Sequence, residues 1–520
     1  MRFFNIAGTC EPDRHYMLPA LPRIGSAMRL VEEGLYFVLH APRQSGKTTS
    51  IRALRNELNR IGECYAVYCS LEAASVESHR RNVMDSVTRA VRNAIIMTFP
   101  DLKLGDVAID LSDLDYVLLS YLHSICARLD KPLVLLLDEV DSLYDESLLA
   151  LMRQLRTGYI DRADFPFPSS VVLVGMRNIR DYRVRIRPDS ETLGSASPFN
   201  VITESFTLGN FTEAQIRELY GQHTAESGQR FAEGTVERVF YWTSGQPWLV
   251  NAIARECVEK ICQRDYTREI TPAMVDKAAY TIILRRDVHI DSLLARLKEP
   301  RVRNVIQPMI MGMDTAEARA YASTFDDDRD FVLDLGLVKW EEKRLVPANR
   351  MYTEVFMRTL SYPIQDVAMD RVPNPPWYRE DGLDLSALLK GFQVFWRENC
   401  EILTKIMPDY PEALPHLVLM GFLQRVVNGG GRIIRESAMG RRRLDLLVEF
   451  RKGRYPIELK LKGNDSPAGH IEQLLGYMDG LGLDEGWLVT FDRSPDRTWE
   501  ERLTWQDLQV NGKTVHLVGA

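Results

Sequence analysis

The first group of residues whose types and spacing could do chemistry follows an apolar strand, Leu35 to His40. The stretch Ala41-Pro-Arg-Gln-Ser-Gly-Lys-Thr48 fits the phosphate-binding consensus G-x-x-x-x-G-K-[ST], with alanine at the first glycine position. Glycines let backbone N–H groups curl around phosphate oxygens, the lysine reaches the outer phosphates, and the hydroxyl serves magnesium. A helix follows the loop, as this consensus requires. The predicted contacts to ATP are Ala41, Gln44, Ser45, Gly46, Lys47, Thr48 and Thr49.

Two carboxylates end a second apolar strand, Leu133 to Leu137. Asp138 is predicted to hold Mg²⁺ through water, and Glu139 to orient and deprotonate the attacking water. The alternative interpretation is a core strand capped by solvated acids. Together with Lys47, the pattern predicts an ATP and Mg²⁺ site in which Thr48 and Asp138 serve the metal.

Two later segments fit a nucleotide-dependent switch. The strand Val171 to Gly175 leads into Met176-Arg-Asn178, a polar tip near the expected γ-phosphate. Arg177 is the candidate sensor there, and a plain surface arginine is the alternative. Further on, Ser244-Gly-Gln-Pro247 breaks the chain and starts a helix at the proline. We expect Pro247 to lie near the nucleotide, although a simple helix start explains it as well.

The second group lies near the other end of the chain, on two predicted strands. Glu458 and Lys460 point to the same face because side chains alternate along a strand. Asp445, on the preceding strand, could share a divalent ion with Glu458. Lys460 would then stabilise the charge on an activated water or on the phosphorane, which suits phosphodiester hydrolysis. The alternative is a β-hairpin with a surface ion pair.

A helix after these strands carries Gln473 and Tyr477, which share one face because they are four residues apart. We include both among the candidate catalytic residues. Between Arg432 and Lys462 there are ten basic and four acidic residues, a local net charge of +6 in a chain whose net charge is −7. Arg441 to Arg443 could reach backbone phosphates. Nucleic acid is therefore the predicted partner, with a solvated basic face as the alternative. DNA is ranked ahead of RNA, although the sequence does not distinguish the two.

Composition limits the class of protein. A chain of 520 residues is too long for a single core. Hydrophobic and charged residues make up 45% and 26%, as in soluble globular proteins. The first thirty residues lack a signal-peptide pattern, and the longest apolar run is strand-sized. We therefore expect a cytoplasmic protein with no membrane partner. The seven cysteines are scattered without zinc-ligand spacing, which favours reduced thiols.

The elements that must position these residues predict a multidomain α/β protein. Strands and helices alternate in the first third, as in a parallel sheet covered on both faces. Predicted strands are 35–40, 65–70, 133–137 and 171–175. Helical periodicity then dominates, and a short hairpin follows near 334–347. The predicted domains are an α/β core (1–205), a helical lid (206–290), a winged helix (291–361), a proline-rich linker (362–385) and a second α/β domain (386–520).

At these residues the first part of the chain resembles AAA-like and STAND-type P-loop ATPases. The resemblance covers about residues 3 to 361. It implies a lid Gly-x-Pro motif that contacts nucleotide, here Gly245 and Pro247, and a sensor at Arg177 or Asn178. It also implies a winged helix behind the lid. In that family ATP binding and hydrolysis drive switching or oligomerisation, so a homo-oligomer is a possible assembly.

The last part, about 386 to 510, resembles the PD-(D/E)XK nuclease superfamily and thus restriction endonucleases. That resemblance implies a mixed sheet flanked by helices, with Asp, then Glu-x-Lys, then a helix with Gln-x-x-x-Tyr. Here Leu444-Asp445 stands where the family has proline-aspartate. Family members often add a glutamate from the first helix, for which Glu412 and Glu436 are candidates.

The order of the two parts is similar to bacterial proteins that fuse an AAA-like ATPase to a PD-(D/E)XK domain. By analogy, it suggests defence against mobile DNA or a mobile-element function. The leading hypothesis is an ATP-hydrolysing switch coupled to a Mg²⁺-dependent DNA endonuclease. The alternatives are an ATP-dependent DNA-binding adaptor or signalling scaffold with an inactive nuclease-like domain, and a motor that remodels DNA.

Overall fold

The structure is a computed structural model of the chain. It describes residues 1–72, 80–111, 113, 115–143, 145–176, 198–285, 293, 295–310, 325–341, 344–356, 358, 360, 377–379, 382–406, 413–428, 431–439, 442–462, 467–492, 494 and 496–520. The chain divides into two compact units. The first comprises Met1–His289, Asp330–Lys339 and Pro347–Met351, and the second comprises Ile290–Arg329, Trp340–Val346 and Tyr352–Ala520.

A five-stranded parallel sheet forms the centre of the first unit, in the order β2-β3-β4-β1-β5. Its strands are β1 (Tyr36–His40), β2 (Tyr65–Ser70), β3 (Leu133–Asp138), β4 (Ser170–Gly175) and β5 (Ile202–Thr207). Because all strands are parallel, the loops that follow β1 and β3 lie at the same edge of the sheet. The phosphate-binding consensus and the Asp138-Glu139 pair are therefore brought together there.

Helices cover both faces of this sheet. They are α1 (Ala27–Glu32), α2 (Lys47–Ile61), α3 (Arg80–Thr98), α4 (Val117–Cys126) and α5 (Asp145–Asp161). The apolar run of β3 divides between the two faces. Leu135 packs into one hydrophobic cluster with residues of α3, α4 and α5, whereas Leu136 packs into another with residues of α2. Burial on both faces explains why the run is continuous rather than alternating.

The four predicted strands of this sheet are confirmed, with ends that differ by at most one residue. The fifth strand, β5, was not among the predicted strands. It pairs with β1 only, and its side chains alternate between exposed and half-buried. Glu204 and Ser205 interrupt its apolar residues, so an edge strand of this kind lacks the apolar run that identifies the others.

Four helices follow β5 in the region predicted as a lid, and the lid itself stays a prediction. They are α6 (Glu213–Ser227), α7 (Thr235–Thr243), α8 (Pro247–Arg255) and α9 (Pro272–Arg285). A capping box between Thr212 and Gln215 starts α6. Pro247 occupies the first turn of α8, where its missing N–H costs no hydrogen bond. A π-helical turn, Glu256–Ile261, follows α8 directly.

The region predicted as a winged helix contains α10 (Pro300–Ile310), α11 (Phe325–Asp334) and a two-stranded sheet of β6 (Val338–Glu341) and β7 (Arg344–Pro347). The division between the compact units falls inside this region. The winged helix and the four predicted domain boundaries therefore stay predictions. Most of the predicted linker, 362–385, lies outside the described residues.

A six-stranded mixed sheet forms the centre of the second unit, in the order β12-β13-β11-β10-β9-β8. Its strands are β8 (Gly431–Met439), β9 (Arg442–Phe450), β10 (Gly453–Leu461), β11 (Glu485–Phe491), β12 (Trp505–Val510) and β13 (Lys513–Gly519). Its helices are α12 (Leu385–Ile406), α13 (Leu414–Asn428), α14 (Pro467–Leu481) and α15 (Trp499–Arg502). Strand β10 pairs parallel with β11 and antiparallel with β9.

Helix α14 packs on this sheet through Leu474, Tyr477 and Met478, which form a buried cluster with Leu447 and Leu488 of the strands. The antiparallel register of β9 and β10 pairs Leu446 with Ile457. Asp445 and Glu458 are the next residues along the two strands and therefore lie beside each other. Among the residues that the structure describes, no helix is long and apolar enough to cross a membrane.

Candidate nucleotide and metal sites

The loop between β1 and α2 has the backbone shape that phosphate binding needs. Gly46 has φ 93° and Gln44 has φ 59°, so both lie in the left-handed region. A Cβ on Gly46 would also meet the Arg23 guanidinium at 2.9 Å. Ala41 is fully buried, and its φ is not positive. Alanine therefore replaces the consensus glycine at this position without strain.

Lys47 lies inside the loop and points at the loop's own backbone. Its Nζ donates to the carbonyl oxygens of Ala41 at 2.6 Å and Pro42 at 2.9 Å. Burial of the ammonium lowers the pKa of Lys47 to about 8, although Asp141 and Asp138 oppose this shift. Two backbone carbonyls therefore solvate the buried ammonium in place of water. Phosphate oxygens of a nucleotide could take the place of these carbonyls.

Thr48 and Asp138 are in direct contact. Thr48 Oγ1 donates to Asp138 Oδ2 at 2.7 Å, and the Glu139 backbone N–H donates to Asp138 Oδ1 at 2.9 Å. Asp138 is only 1% exposed. A buried carboxylate beside a hydroxyl is an all-oxygen donor set, which is the chemistry that Mg²⁺ prefers. These two residues therefore fit the magnesium ion that accompanies a triphosphate.

Glu139 follows Asp138 at the end of β3 and adopts φ 60°. This left-handed residue joins β3 to a short 3-10 turn, Val140–Ser142. Desolvation raises the pKa of Glu139, and the carboxylates of Glu72 and Asp138 add to the effect. A carboxylate with a raised pKa is a stronger base, as a residue that takes a proton from water should be.

The lid reaches the loop at the Ser244-Gly-Gln-Pro247 segment. A Cβ on Gly245 would lie 1.8 Å from the Phe211 carbonyl oxygen, so only glycine fits. The Gln246 side chain caps α8 and also donates to the Gln44 carbonyl at 3.4 Å. The Ser244–Pro247 segment thus contacts the phosphate-binding loop through Gln246, and the predicted role of Pro247 at the nucleotide stays a prediction.

A cavity of about 130 Å³ lies between the N-terminal segment, the loop and the lid. Its walls include Asn5, Tyr16, Arg23, Phe211, Trp248 and Asn251, besides Thr49 and Pro247. The Asn251 amide donates to the Pro247 carbonyl at 2.8 Å. Its Oδ1 is buried and has no hydrogen-bond partner among the described residues. The sequence analysis missed this wall because no motif marks residues 5–23.

Arg23 connects the N-terminal segment to the loop and the lid. One guanidinium nitrogen donates to the Ser45 carbonyl at 3.1 Å and the Gly209 carbonyl at 2.8 Å. The group also lies over the Phe211 ring, 4.8 Å from its centroid. Arg23 therefore holds the loop and the start of the lid in one arrangement.

Other predicted contacts have more local roles. Ser45 Oγ donates to the Pro42 carbonyl at 2.8 Å. Thr49 Oγ1 accepts from the Cys10 backbone N–H at 3.2 Å, so its hydroxyl holds the N-terminal segment. The predicted sensor residues Arg177 and Asn178 lie outside the described residues.

In the second unit, Lys460 lies between the carboxylates of Asp445 and Glu458. Its Nζ is 2.9 Å from Glu458 Oε1 and 3.7 Å from Asp445 Oδ2. The Leu459 backbone N–H donates to Asp445 Oδ2 at 2.8 Å. Three residues predicted to act together are therefore brought into one cluster around the Lys460 ammonium.

Burial gives this cluster unusual proton affinities. Glu458 is completely buried. Burial raises the pKa of Glu458 to about 7, and the charge of Asp445 adds to the effect while Lys460 opposes it. Burial alone would lower the pKa of Lys460. The charges of Asp445 and Glu458 outweigh this effect, so the pKa of Lys460 is raised. Glu458 Oε1 is paired with the Lys460 ammonium, so a divalent cation at this oxygen would have to share it with Lys460 or displace the ammonium.

Gln473 and Tyr477 lie together on α14, where Gln473 Nε2 is 3.4 Å from the Tyr477 hydroxyl. Tyr477 also belongs to the core cluster of this unit. Glu412 and Arg441 lie outside the described residues, as do the side chains of Glu436, Arg442 and Arg443. In the described part of the chain, no group of three or more His, Cys, Asp or Glu residues could hold a metal ion.

His416 on α13 is a further buried polar residue that the sequence analysis did not single out. Burial lowers the pKa of His416 to about 4, and the charge of Lys460 contributes. Its Nδ1 has no hydrogen-bond partner within the described residues, and its ring contacts Phe491 edge-on. A neutral imidazole thus lies within electrostatic reach of the Lys460 cluster.

Comparison with known families agrees with the first site. Residues 31–182 match the model of a protein family described as AAA domain. The matched segment contains the phosphate-binding loop and the Asp138-Glu139 pair. It identifies an AAA-like P-loop ATPase domain in the first part of the chain, as the sequence resemblance predicts. No curated protein matches the chain.

Several solved structures share weak similarity with about two thirds of the chain. The Walker-type ATPase PABY2304 of Pyrococcus abyssi is 13% identical, with 68% of this chain and 99% of that chain covered and a TM-score of 0.49. The Aeropyrum pernix Orc1 protein in complex with DNA is 14% identical, with coverages of 67% and 94% and a TM-score of 0.35. The Thermotoga maritima RuvB Holliday junction branch migration motor is 13% identical, with coverages of 64% and 92% and a TM-score of 0.32. These scores are too low to establish a common fold over the aligned lengths.

Proposed function

We propose that this chain is an ATP-hydrolysing switch that controls a Mg²⁺-dependent nuclease acting on DNA. The AAA-like ATPase domain supplies the switch. The nuclease part is carried by one observation, the placement of Lys460 between the carboxylates of Asp445 and Glu458. Two carboxylates and a lysine on neighbouring strands suit the hydrolysis of a phosphodiester.

For ATP hydrolysis, the backbone N–H groups of the loop and the start of α2 bind the phosphates. Lys47 leaves the carbonyls of Ala41 and Pro42 and pairs with the outer phosphates. Thr48 and Asp138 would hold Mg²⁺, which when bound would neutralise charge that develops on the phosphate oxygens. Glu139 accepts a proton from the water that attacks the γ-phosphorus. The bond from this phosphorus to the bridging oxygen breaks, and ADP and phosphate leave.

The cavity beside Trp248 and Asn251 is where we place the nucleobase. Its aromatic walls suit a flat heterocycle, and small-molecule pockets combine apolar walls with a few polar groups. The buried Asn251 Oδ1 is an acceptor without a partner among the described residues. The N6 amino group of adenine is a donor, whereas guanine presents an acceptor at the corresponding position. This chemistry supports ATP over GTP.

For the nuclease reaction, Asp445 and Glu458 would hold the divalent ion. When bound, this ion polarises the phosphate and makes water more acidic. Lys460 stabilises negative charge as water attacks the phosphorus and the bond to the leaving oxygen breaks. The water proton passes to solvent or the leaving oxygen. Gln473 and Tyr477 lie on α14, which packs on the strands of this cluster. The basic stretch from Arg432 to Lys462 supplies charge for the DNA backbone.

A second candidate function has one observation in its favour. The described part of the second site offers two carboxylates and no larger cluster of metal ligands. An ATP-dependent adaptor or signalling scaffold, with a nuclease-like domain that holds DNA without cutting it, is consistent with this smaller set. ATP-dependent assembly without cleavage is its signature.

Nicking of plasmid DNA tests the proposal. The full-length protein is incubated with plasmid and linear DNA in Mg²⁺ or Mn²⁺, with and without ATP. We expect the wild type to cut and Lys460→Ala to lose at least about 100-fold in rate, as when a transition-state charge contact is removed. Lys390→Ala removes an exposed lysine on α12 and should cut like the wild type. Persistent cutting by Lys460→Ala would exclude this site as the nuclease.

A further inference from the structure

The Asp138 carboxylate accepts hydrogen bonds from three donors. Besides Thr48 and the Glu139 backbone N–H, the Tyr68 hydroxyl donates to Asp138 Oδ2 at 3.0 Å. Oδ2 therefore receives two hydroxyl protons, and Oδ1 receives one amide proton. All three donors are neutral, and no cation of a described residue forms an ion pair with this carboxylate.

The position of Tyr68 follows from the sheet. Strand β2 runs parallel to β3, with Tyr68 opposite Leu136 and Ser70 opposite Asp138. The backbone of Tyr68 therefore lies two residue positions short of Asp138 along the parallel strands. The long phenol side chain can span this distance. Its ring packs against the hydrophobic cluster on the α2 face of the sheet. Arg52 of α2 covers the ring, with its guanidinium 4.7 Å from the ring centroid.

We propose that Tyr68 is a positioning residue that orients the Asp138 carboxylate toward the Mg²⁺ of a bound nucleotide. This inference rests on the proposed ATP-binding function. Thr48 must direct an oxygen lone pair to the metal while it donates its proton to Asp138 Oδ2. The Glu139 backbone N–H holds Oδ1, and the Tyr68 hydroxyl is the second donor that fixes the position of Oδ2.

Removal of one hydroxyl separates this role from a role in packing. Tyr68→Phe keeps the ring, its contact with Arg52 and its place in the hydrophobic cluster. If Tyr68 only packs, Tyr68→Phe should behave like the wild type. If it orients Asp138, the metal dependence should change while nucleotide binding without metal does not.

The control is Tyr65→Phe on the same strand. Tyr65 also donates to an aspartate, Asp130, at 2.8 Å. Tyr65 pairs with Leu133 at the beginning of β3, five residues before Asp138 at its end. The two substitutions therefore remove the same hydroxyl oxygen from the same strand, at its first residue and at its fourth.

The measurement is the affinity for a fluorescent ATP analogue as Mg²⁺ is titrated, with a parallel series in EDTA. The Thr48 hydroxyl still donates to Asp138 in Tyr68→Phe, so the loss of orientation is partial. We expect Tyr68→Phe to need an Mg²⁺ concentration about fivefold higher than the wild type for the half-maximal increase in nucleotide affinity. Its affinity in EDTA should stay within about twofold of the wild type, as should both values for Tyr65→Phe. ATP turnover should show the same shift in Mg²⁺ dependence.

Overlapping Mg²⁺ titrations for the wild type and Tyr68→Phe overturn this inference alone. A loss of affinity in EDTA of the same size as that in Mg²⁺ also overturns it, because the hydroxyl then supports the fold of the loop rather than the metal contact. A wild type that binds no adenine nucleotide overturns the proposed function, and this inference with it.

Discussion

Thr48 and Asp138 are 90 residues apart in the chain, yet Thr48 Oγ1 donates to Asp138 Oδ2 at 2.7 Å. The contact joins the start of α2 to the end of β3. It exists because β1 and β3 are parallel strands of one sheet, so that their following segments meet at one edge. The fold itself therefore places a hydroxyl beside a buried carboxylate.

The pKa of Lys47 predicts how ATP binding depends on pH. Burial lowers this pKa to about 8 in the free protein, and the phosphates bind the protonated form. Above pH 8, binding must therefore take up a proton. We expect the affinity for ATP to fall up to about tenfold between pH 8 and pH 9 and to be nearly constant between pH 6.5 and 7.5. Isothermal titration calorimetry at each pH measures this affinity.

The matched variant for this prediction is Lys47→Arg. Its guanidinium stays protonated over the whole range, so its weaker binding should not change with pH. A wild-type affinity that is flat up to pH 9 contradicts the assignment of Lys47 as the phosphate ligand.

The close approach of Gly245 to the Phe211 backbone predicts that a side chain at this position destabilises the lid. In Gly245→Ala the new Cβ would lie 1.8 Å from the Phe211 carbonyl oxygen, and the residue would keep φ 74°. We expect a loss of at least about 2 kcal/mol in the free energy of unfolding, together with weaker ATP binding. Gly209→Ala is the control because no atom lies within 4 Å of its Cβ and its φ is not positive. Equal denaturation midpoints for the two variants would refute this account of the lid.

Asn251 predicts the choice of nucleobase. Asn251→Leu replaces the buried, unpartnered oxygen with a methyl group of similar size and also removes the bond to Pro247. We expect the preference for ATP over GTP to fall about fivefold, since one hydrogen bond contributes about 1 kcal/mol. Competition by both nucleotides against a fluorescent analogue gives the ratio. A ratio unchanged from the wild type would place the base elsewhere.

Glu458 predicts the pH dependence of the second metal site. Its raised pKa of about 7 means that the free carboxyl is half-protonated at neutral pH. A cation binds the ionised form, so protons compete with metal below pH 7. We expect Mn²⁺ affinity to fall up to about tenfold from pH 7 to pH 6 and to change little above pH 8. Glu449→Gln on β9 should retain this profile. An Mn²⁺ affinity that is independent of pH would argue against Glu458 as a ligand.

Much of the first unit could be predicted because its determinants are local. The apolar run that ends in Asp138 and the loop around Gly46 each carry their own pattern, and both lie where predicted. Strand β5 has no such pattern because it is a half-exposed edge strand. Backbone pairing with β1, rather than an apolar pattern in its own sequence, determines the position of β5.

The walls of the nucleobase cavity could not be predicted for a related reason. Arg23 and Asn251 come from segments far apart in the chain, and neither belongs to a motif. Only the folded chain brings them to the loop. Tyr68 and His416 are similar, since a tyrosine on a strand or a histidine on a helix has no periodicity that separates function from packing.

ATP turnover and DNA cleavage measured on one preparation test the central claim most directly. The variants are Asp445→Asn and Lys47→Ala, with Asp479→Asn, a 70% exposed carboxylate on α14, as the control. The account predicts that Asp445→Asn stops cleavage but hydrolyses ATP like the wild type, and that Lys47→Ala loses hydrolysis and makes cleavage insensitive to ATP. Cleavage that survives Asp445→Asn, or a wild type that cuts no DNA in Mg²⁺ or Mn²⁺ with or without ATP, would contradict it.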